Sequence, residues 1–289
     1  MRPAPFSYHK AERLDQALAL LAEFGEDARP IAGGQSLVPM MNLRLARPSH
    51  LVDINALDLD TIELRSDHLH IGALVRHERY ARESLIAQHF PAFAEGVEWI
   101  GHPTIRRRGT LGGSISHADP TAELPALCVL LGAEIIAQSA EGSRRIPAAE
   151  FFISAYVTSL EAGEMVTGID LPLPKGKSSG AFEEFAERSG DFAIISAGVT
   201  LEHDGRAITD ARVVWSGVDL APVMAERAGD LLRGKPLSAP EAEAAAQAMS
   251  AGITPLDDPM ASAEFRHSLI VELTQRALTR ACEKAMQAS

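Results

Sequence analysis

The sequence predicts an α+β protein, and three observations carry that prediction. Helical and strand patterns mix through residues 57–171 without a strict βαβ rhythm. A Pro-, Gly- and Ser-rich stretch at 171–180 divides the chain. Two Gly-Gly loops match neither the G-x-G-x-x-G nor the G-x-x-x-x-G-K-[ST] signature, which disfavours a Rossmann or P-loop core.

Residues 10–24 set Leu14, Ala17, Leu18 and Leu21 at helical spacing, and Gly25 stops the helix. A short strand at 29–32 ends at Gly33-Gly34; a helix at 38–45 and a strand at 50–54 complete an α-β-α-β opening unit. Alternating strands follow at 61–64 and 68–72, then helices at 77–85 and 88–99. Residues 103–119 form a polar, Gly-rich stretch and 122–131 an apolar helix, with strands at 133–138, 144–147 and 165–171. Beyond the linker, strands at 181–187, 195–203 and 211–217 are joined partly by the Asp204-Gly205 turn. Helices at 221–232, 240–251 and 263–288 close the chain. The expected domains are 1–175, with lobes of about 1–55 and 56–175, and a C-terminal α+β domain at 176–289.

Composition narrows the function. The 289 residues are 46% hydrophobic and 23% charged, a soluble globular balance. The formal charge of −12 repels phosphate backbones and argues against a nucleic-acid partner. Cys128 and Cys282 lie far apart with no CxxC or His-rich neighbour, so no metal site is expected within the chain. No apolar stretch is long enough to span a bilayer and the N-terminus lacks a signal core, so a cytoplasmic location is expected unless a partner carries the address. No Ser-His-Asp or Cys-His constellation stands out, and no catalytic residue is assigned.

The chemistry resides in two loops of similar design. Ala32, Gly33, Gly34, Gln35, Ser36 and Leu37 leave a strand and enter a helix; Gly109-Thr-Leu-Gly-Gly-Ser-Ile115 carries the second Gly-Gly pair before Ser114. Glycine lets consecutive amides turn inward toward a bulky anion, serine adds a donor, and a helix start near Val38 adds partial positive charge. Each loop alone reads first as a tight turn. Together they suit a phosphate-bearing ligand whose identity the loops do not fix. Arg106-Arg107-Arg108, the one basic cluster, reads either as a solvated loop or as a docking or phosphate-steering patch.

At these residues the chain resembles the FAD-binding medium subunits of the molybdenum hydroxylases, of carbon monoxide dehydrogenase type, with the flavin domain of xanthine dehydrogenase more distant. The resemblance rests on Arg29-Pro-Ile-Ala-Gly-Gly-Gln-Ser-Leu-Val-Pro39, and on Ile105-Arg-x-x-Gly-Thr-Leu-Gly-Gly-Ser with Asp119-Pro120 and Glu123-Leu-Pro125. Ser189-Gly-Asp-Phe-Ala193 and Glu264-Phe-Arg266 extend it, so it covers nearly the whole chain. It implies a two-lobed FAD-binding domain of the vanillyl-alcohol-oxidase/PCMH type, with FAD between the lobes, followed by the small C-terminal domain. Residues 32–37 would wrap the pyrophosphate, with Thr110, Gly113 and Ser114 opposite; relatives often carry Asn where Ser114 stands. His117 and Glu123 would face the sugar and ribityl hydroxyls, and Ile100, Gly101, Ile105 and Val166 the apolar cofactor surface. Phe192 would stand beside the flavin ring, or serve as a core phenylalanine. Within Phe182-Glu-Glu-Phe185 relatives commonly carry a lysine near the flavin pyrimidine edge. Two acids here would oppose charge on reduced flavin, leaving either a compensating Arg188 or a lower potential.

The resemblance further implies a relay. Substrate is oxidised at molybdopterin in a large subunit, electrons cross iron–sulfur clusters in a small subunit, and FAD here hands them to an external acceptor, in a dimer of heterotrimers. Carbon monoxide, an N-heterocycle and an aldehyde all remain open as substrates. Two other readings stay open: a stand-alone FAD-dependent oxidase, which would need a substrate cap and often a covalent anchor absent from the first Gly loop, and a non-catalytic nucleotide-binding assembly module.

Overall fold

The computed structural model describes residues 2–80 and 82–287. The chain folds as two compact units that interleave along the sequence. The first comprises the chain up to Arg79, Pro103–Ala118 and Ala133–Leu171; the second comprises Tyr80–His102, Asp119–Gly132 and the chain from Pro172 onward.

The first unit opens with a three-stranded parallel sheet in the order β1-β3-β2: β1 is Ser7–Lys10, β2 Ala28–Ile31 and β3 His50–Asp53. The helix Leu14–Phe24 buries Ala17, Leu18 and Leu21 against Ala28 and Val52, so the expected periodicity reports a real face. Sequence reading missed β1. Its Ser-Tyr-His-Lys side chains are largely exposed, leaving no inward alternation to detect; main-chain pairing to β3 holds it.

A five-stranded sheet follows. Its strands are β4 (Ile62–Leu64), β5 (His68–Gly72), β6 (Glu134–Gln138) and β7 (Ser143–Pro147), then, after the small ribbon of β8 (Phe152–Ser154) and β9 (Val157–Thr158), β10 (Met165–Pro172). Their order is β4-β5-β10-β6-β7. The polar, Gly-rich stretch at 103–119, for which no element was expected, contains the helices Pro103–Arg106 and Leu111–His117. Thr110 caps the latter by accepting from the Gly113 N–H at 3.2 Å, and Leu111 and Ile115 are buried beneath it.

The second unit is built on an antiparallel meander of four strands, one more than expected: β11 (Lys177–Phe185), β12 (Ile195–His203), β13 (Ile208–Ser216) and β14 (Val223–Met224). β10 and β11 extend into the expected linker, leaving 173–176 as the connection. Alternation gives the sheet two faces. Ala181, Val199, Val213 and Trp215 join the core formed with Ala239–Ser250 and Ala263–Gln287. Phe182 and Gly198 face the other way, toward Leu127 and Leu130 of Glu123–Leu131 and Gly96 of Pro91–Trp99. Trp215 donates its indole N–H to Thr274 at 2.7 Å. Arg266, deeply buried, donates to the carbonyls of Ile194 (2.6 Å) and Gly217 (2.9 Å) and pairs with Asp258. The helix expected at 221–232 covers only Ala228–Leu232, because Val223 and Met224 join the sheet edge; Ala288 of the last expected helix lies outside the described residues.

Candidate functional site

The two glycine loops lie side by side in the first unit. A Cβ built on Gly33 would stand 2.2 Å from the carbonyl oxygen of Arg108, so only glycine fits there. Gly34 is needed for a different reason: its φ is +69°. Arg76 joins the loops, donating to the Arg108 carbonyl and, at 2.6 Å, to Asn55; Asn55 in turn donates to the Ala32 carbonyl at 3.0 Å. Neither Arg76 nor Asn55 carried a motif that sequence reading could use. Both are recruited by the fold.

The loops use their amides differently. In the first, the N–H groups of residues 33–37 have no acceptor among the described residues; internal bonding resumes where Val38 donates to Gly34. Gln35 folds back through its side chain onto the Gly33 carbonyl at 2.9 Å. The helix that follows, Leu37–Asn42, is too short for its dipole to dominate, so the capacity of this segment to meet an anion lies in its free amides.

The second loop is already tethered. Leu111 donates to Val75, Gly112 to Ala73, Gly113 to the Thr110 hydroxyl and Ser114 to the Thr110 carbonyl. Gly112 is required by packing, since a Cβ there would meet the Ala73 methyl at 2.7 Å. Similar lettering thus conceals unlike roles: one loop offers main-chain donors, whereas the other supplies a rigid backing. Thr110 is 2% exposed; Gly113 is exposed and Ser114 half-buried.

The remaining expected residues divide between the units. In the first, Ile105 is half-buried, Val166 is buried on β10, and the His117 ring packs against Tyr156 with centroids 5.0 Å apart. His77 is buried beneath Gly109, and burial, then Arg76 and Arg106, pushes its imidazole down to about 3, so it is neutral at physiological pH. Arg107 pairs with Glu78 at 3.7 Å.

In the second unit Ile100 is buried, Gly101 takes a φ of +44°, and Glu123 is buried at the start of Glu123–Leu131. Phe192 is 60% exposed between β11 and β12, so the core reading of this residue is overturned. It lines a cavity of about 350 Å³ with Gly190, Asp191, Ile194 and Met260. Gly190 lets its loop approach the His102 ring, 2.6 Å from where a Cβ would lie.

The two adjacent acids also part. Glu183 turns to Arg280, which reaches Glu95 at 2.8 Å as well. Glu184 is buried and has no ion pair among the described residues, and burial, then Glu123, raises its carboxyl to about 9. Arg188 is exposed. At neutral pH Glu184 is therefore uncharged, which removes one of the two negative charges expected to oppose flavin reduction.

Free main-chain N–H groups at 33–37, backed by the loop at 108–114, are what the first unit offers to an anion. Residues 4–174 match the family model described as "FAD binding domain in molybdopterin dehydrogenase", and residues 180–281 match "CO dehydrogenase flavoprotein C-terminal domain". The chain is 41% identical to the 6-hydroxypseudooxynicotine dehydrogenase complex subunit alpha of Paenarthrobacter nicotinovorans, covering 99% of this chain and 97% of that one. It is 35% identical to the carbon monoxide dehydrogenase medium chain of Afipia carboxidovorans, covering 99% of each. A crystal structure of quinoline 2-oxidoreductase from Pseudomonas putida 86 superposes with a TM-score of 0.94 at 36% identity, covering 99% of this chain and 100% of that one. The chain belongs to the FAD-binding family of the molybdopterin dehydrogenases. It is an oxidoreductase flavoprotein subunit of molybdenum hydroxylase type.

Proposed function

We propose that this chain works as the electron exit of a three-component hydroxylase. It takes electrons from a small iron–sulfur subunit and delivers them to an external acceptor, while a large molybdopterin subunit oxidises the organic substrate. Bound FAD supplies a carrier able to exchange electrons one or two at a time. The observation that carries this reading is the row of unsatisfied amides at 33–37, backed by the second loop. Such donors suit a diphosphate, which needs several hydrogen bonds from a preformed surface.

In this proposal Ala32, Gly33, Gly34, Gln35, Ser36 and Leu37 hold the diphosphate, aided by Thr110, Gly113 and Ser114. His117 and Glu123 take the sugar and ribityl hydroxyls, Ile100, Gly101, Ile105 and Val166 supply apolar contacts, and Phe192 borders the ring. The proposed domain division at 175–176 falls between the two family-model matches. A dimer of heterotrimers and a cytoplasmic location belong to the same reading. Cys128 and Cys282 are free thiols, as a reducing compartment keeps them; no helix among the described residues is long and apolar enough to cross a membrane.

Purification of the native complex, with companion chains identified and metals measured, tests the proposal. Molybdenum and iron should accompany the complex and be absent from this chain prepared alone, which should retain FAD. Oxidation of an organic substrate by the isolated chain would refute the relay.

A further inference from the structure

Asp53 closes the central strand of the parallel sheet, flanked in register by Lys10 of β1 and Ile31 of β2. Ile31 is the last residue before the first glycine loop. The Tyr8 hydroxyl, two residues before Lys10 on the same face of β1, donates to Oδ2 of Asp53. The main-chain N–H of Asn55 and its carboxamide both donate to Oδ1, at 2.9 and 2.6 Å. Burial works against ionisation, yet Tyr8, Asn55 and Lys10 together hold the carboxyl below its ordinary range, so both oxygens accept at neutral pH. The Asn55 carboxamide is thereby fixed in one orientation. Its nitrogen faces Asp53 and, at 3.0 Å, the Ala32 carbonyl, while its oxygen accepts from Arg76 at 2.6 Å. Both side-chain N–H bonds are engaged within the protein, which leaves Asn55 no donor for a ligand.

We propose that Asp53 and Tyr8 are positioning residues for the diphosphate grip, locking the Asn55 carboxamide that holds the Ala32 carbonyl and leaves the Gly33 amide free for a phosphate oxygen. This rests on the reading of residues 33–37 as the diphosphate site. The peptide bond explains how the hold works. A trans peptide points its C=O and N–H in opposite directions, and no described peptide here is cis. Drawing the Ala32 carbonyl toward Asn55 therefore turns the Gly33 N–H away from it. Gln35 treats the next peptide alike, taking the Gly33 carbonyl at 2.9 Å and so turning the Gly34 N–H away from its own side chain. The Tyr8 ring is 57% exposed, so its contribution is the hydroxyl bond and not packing. Without the lock the 32–33 peptide is free to rotate, and a bound diphosphate must order it at a cost in affinity.

The test titrates the full chain with FAD and with riboflavin, which lacks the diphosphate. Asn55→Ala should raise the FAD Kd by about tenfold, and Asp53→Leu should approach it. Tyr8→Phe, which loses one exposed hydroxyl and leaves the fold intact, should raise it by about threefold. The riboflavin Kd should be the same in all variants. Because the hydroxyl acts through the carboxamide, adding Tyr8→Phe to Asn55→Ala should cause no further loss. An FAD Kd that Asn55→Ala leaves unmoved, an equal loss of riboflavin binding, or a Tyr8→Phe effect undiminished in the double variant overturns the inference. A parent chain that binds FAD no more tightly than riboflavin refutes instead the diphosphate reading of 33–37, and the positioning role falls with it.

Discussion

Gly33 backs directly onto the main chain of Arg108, close enough that a single methyl group would stand 2.2 Å from that carbonyl oxygen. This contact makes one loop the support of the other. It also explains why a glycine is demanded at a position where the ligand argument alone asked only for accessible amides.

Gly33→Ala should therefore separate the loops. Overpacking of this kind costs about 1–3 kcal/mol in stability, and FAD affinity should fall by roughly tenfold or more, equivalent to about 1.4 kcal/mol. Gly112→Ala supplies the contrast. It meets Ala73 and should cost similar stability with a smaller effect on FAD. Thermal melts and fluorescence titrations of both variants check the distinction.

Arg76 tests the bracing from the side. Arg76→Met removes the donors to Arg108 and Asn55 while keeping much of the side-chain bulk. Loss of bonds to a charged donor costs on the order of 2 kcal/mol. FAD binding should weaken, and Arg76→Lys should restore only part of it, since one ammonium cannot reproduce the forked geometry.

His77 makes a pH prediction with a definite sign. Its imidazole is depressed from 6.5 to about 3, so the unfolded chain takes up a proton that the folded chain refuses. Stability should fall as pH drops from about 6.5 toward about 3, by a few kcal/mol. In His77→Gln that component should vanish, seen as a flatter dependence of melting temperature on acid pH relative to the parent.

Asp170, 2% exposed, collects His70 at 2.7 Å and Arg145 at 2.5 Å on the five-stranded sheet of the first unit. Asp170→Asn should destabilise by roughly 2 kcal/mol, the half-exposed Arg145 softening the loss. The FAD affinity of the folded protein should be unchanged, as judged by titration below the melting range.

Much of this architecture was legible in the sequence because its signals are local. The helix Leu14–Phe24 carries its apolar face at regular spacing, and β5 and β12 alternate or run apolar within clear borders. β1 was illegible because its stabilisation is main-chain pairing to a strand 43 residues further along, Ser7 opposite His50. The helix Leu111–His117 was hidden by its two glycines, which lower helix propensity but are required by Ala73 and the turn at Thr110. The loops themselves were visible as glycine pairs, yet their inequality was not. Whether an amide is free depends on Val75 and Ala73, which no spacing rule links to residues 111–112. The separation of Glu183 from Glu184 follows from strand alternation, but which acid meets a cation needed the placement of Arg280.

The most direct test is residue-resolved hydrogen exchange of the apo chain, with FAD or riboflavin added at saturating concentration. The amides of residues 33–37 should exchange rapidly without ligand, become protected with FAD, and stay unprotected with riboflavin, which lacks the diphosphate. Protection that is equal for both ligands, or that skips residues 33–37, would contradict the assignment of this loop as the diphosphate grip.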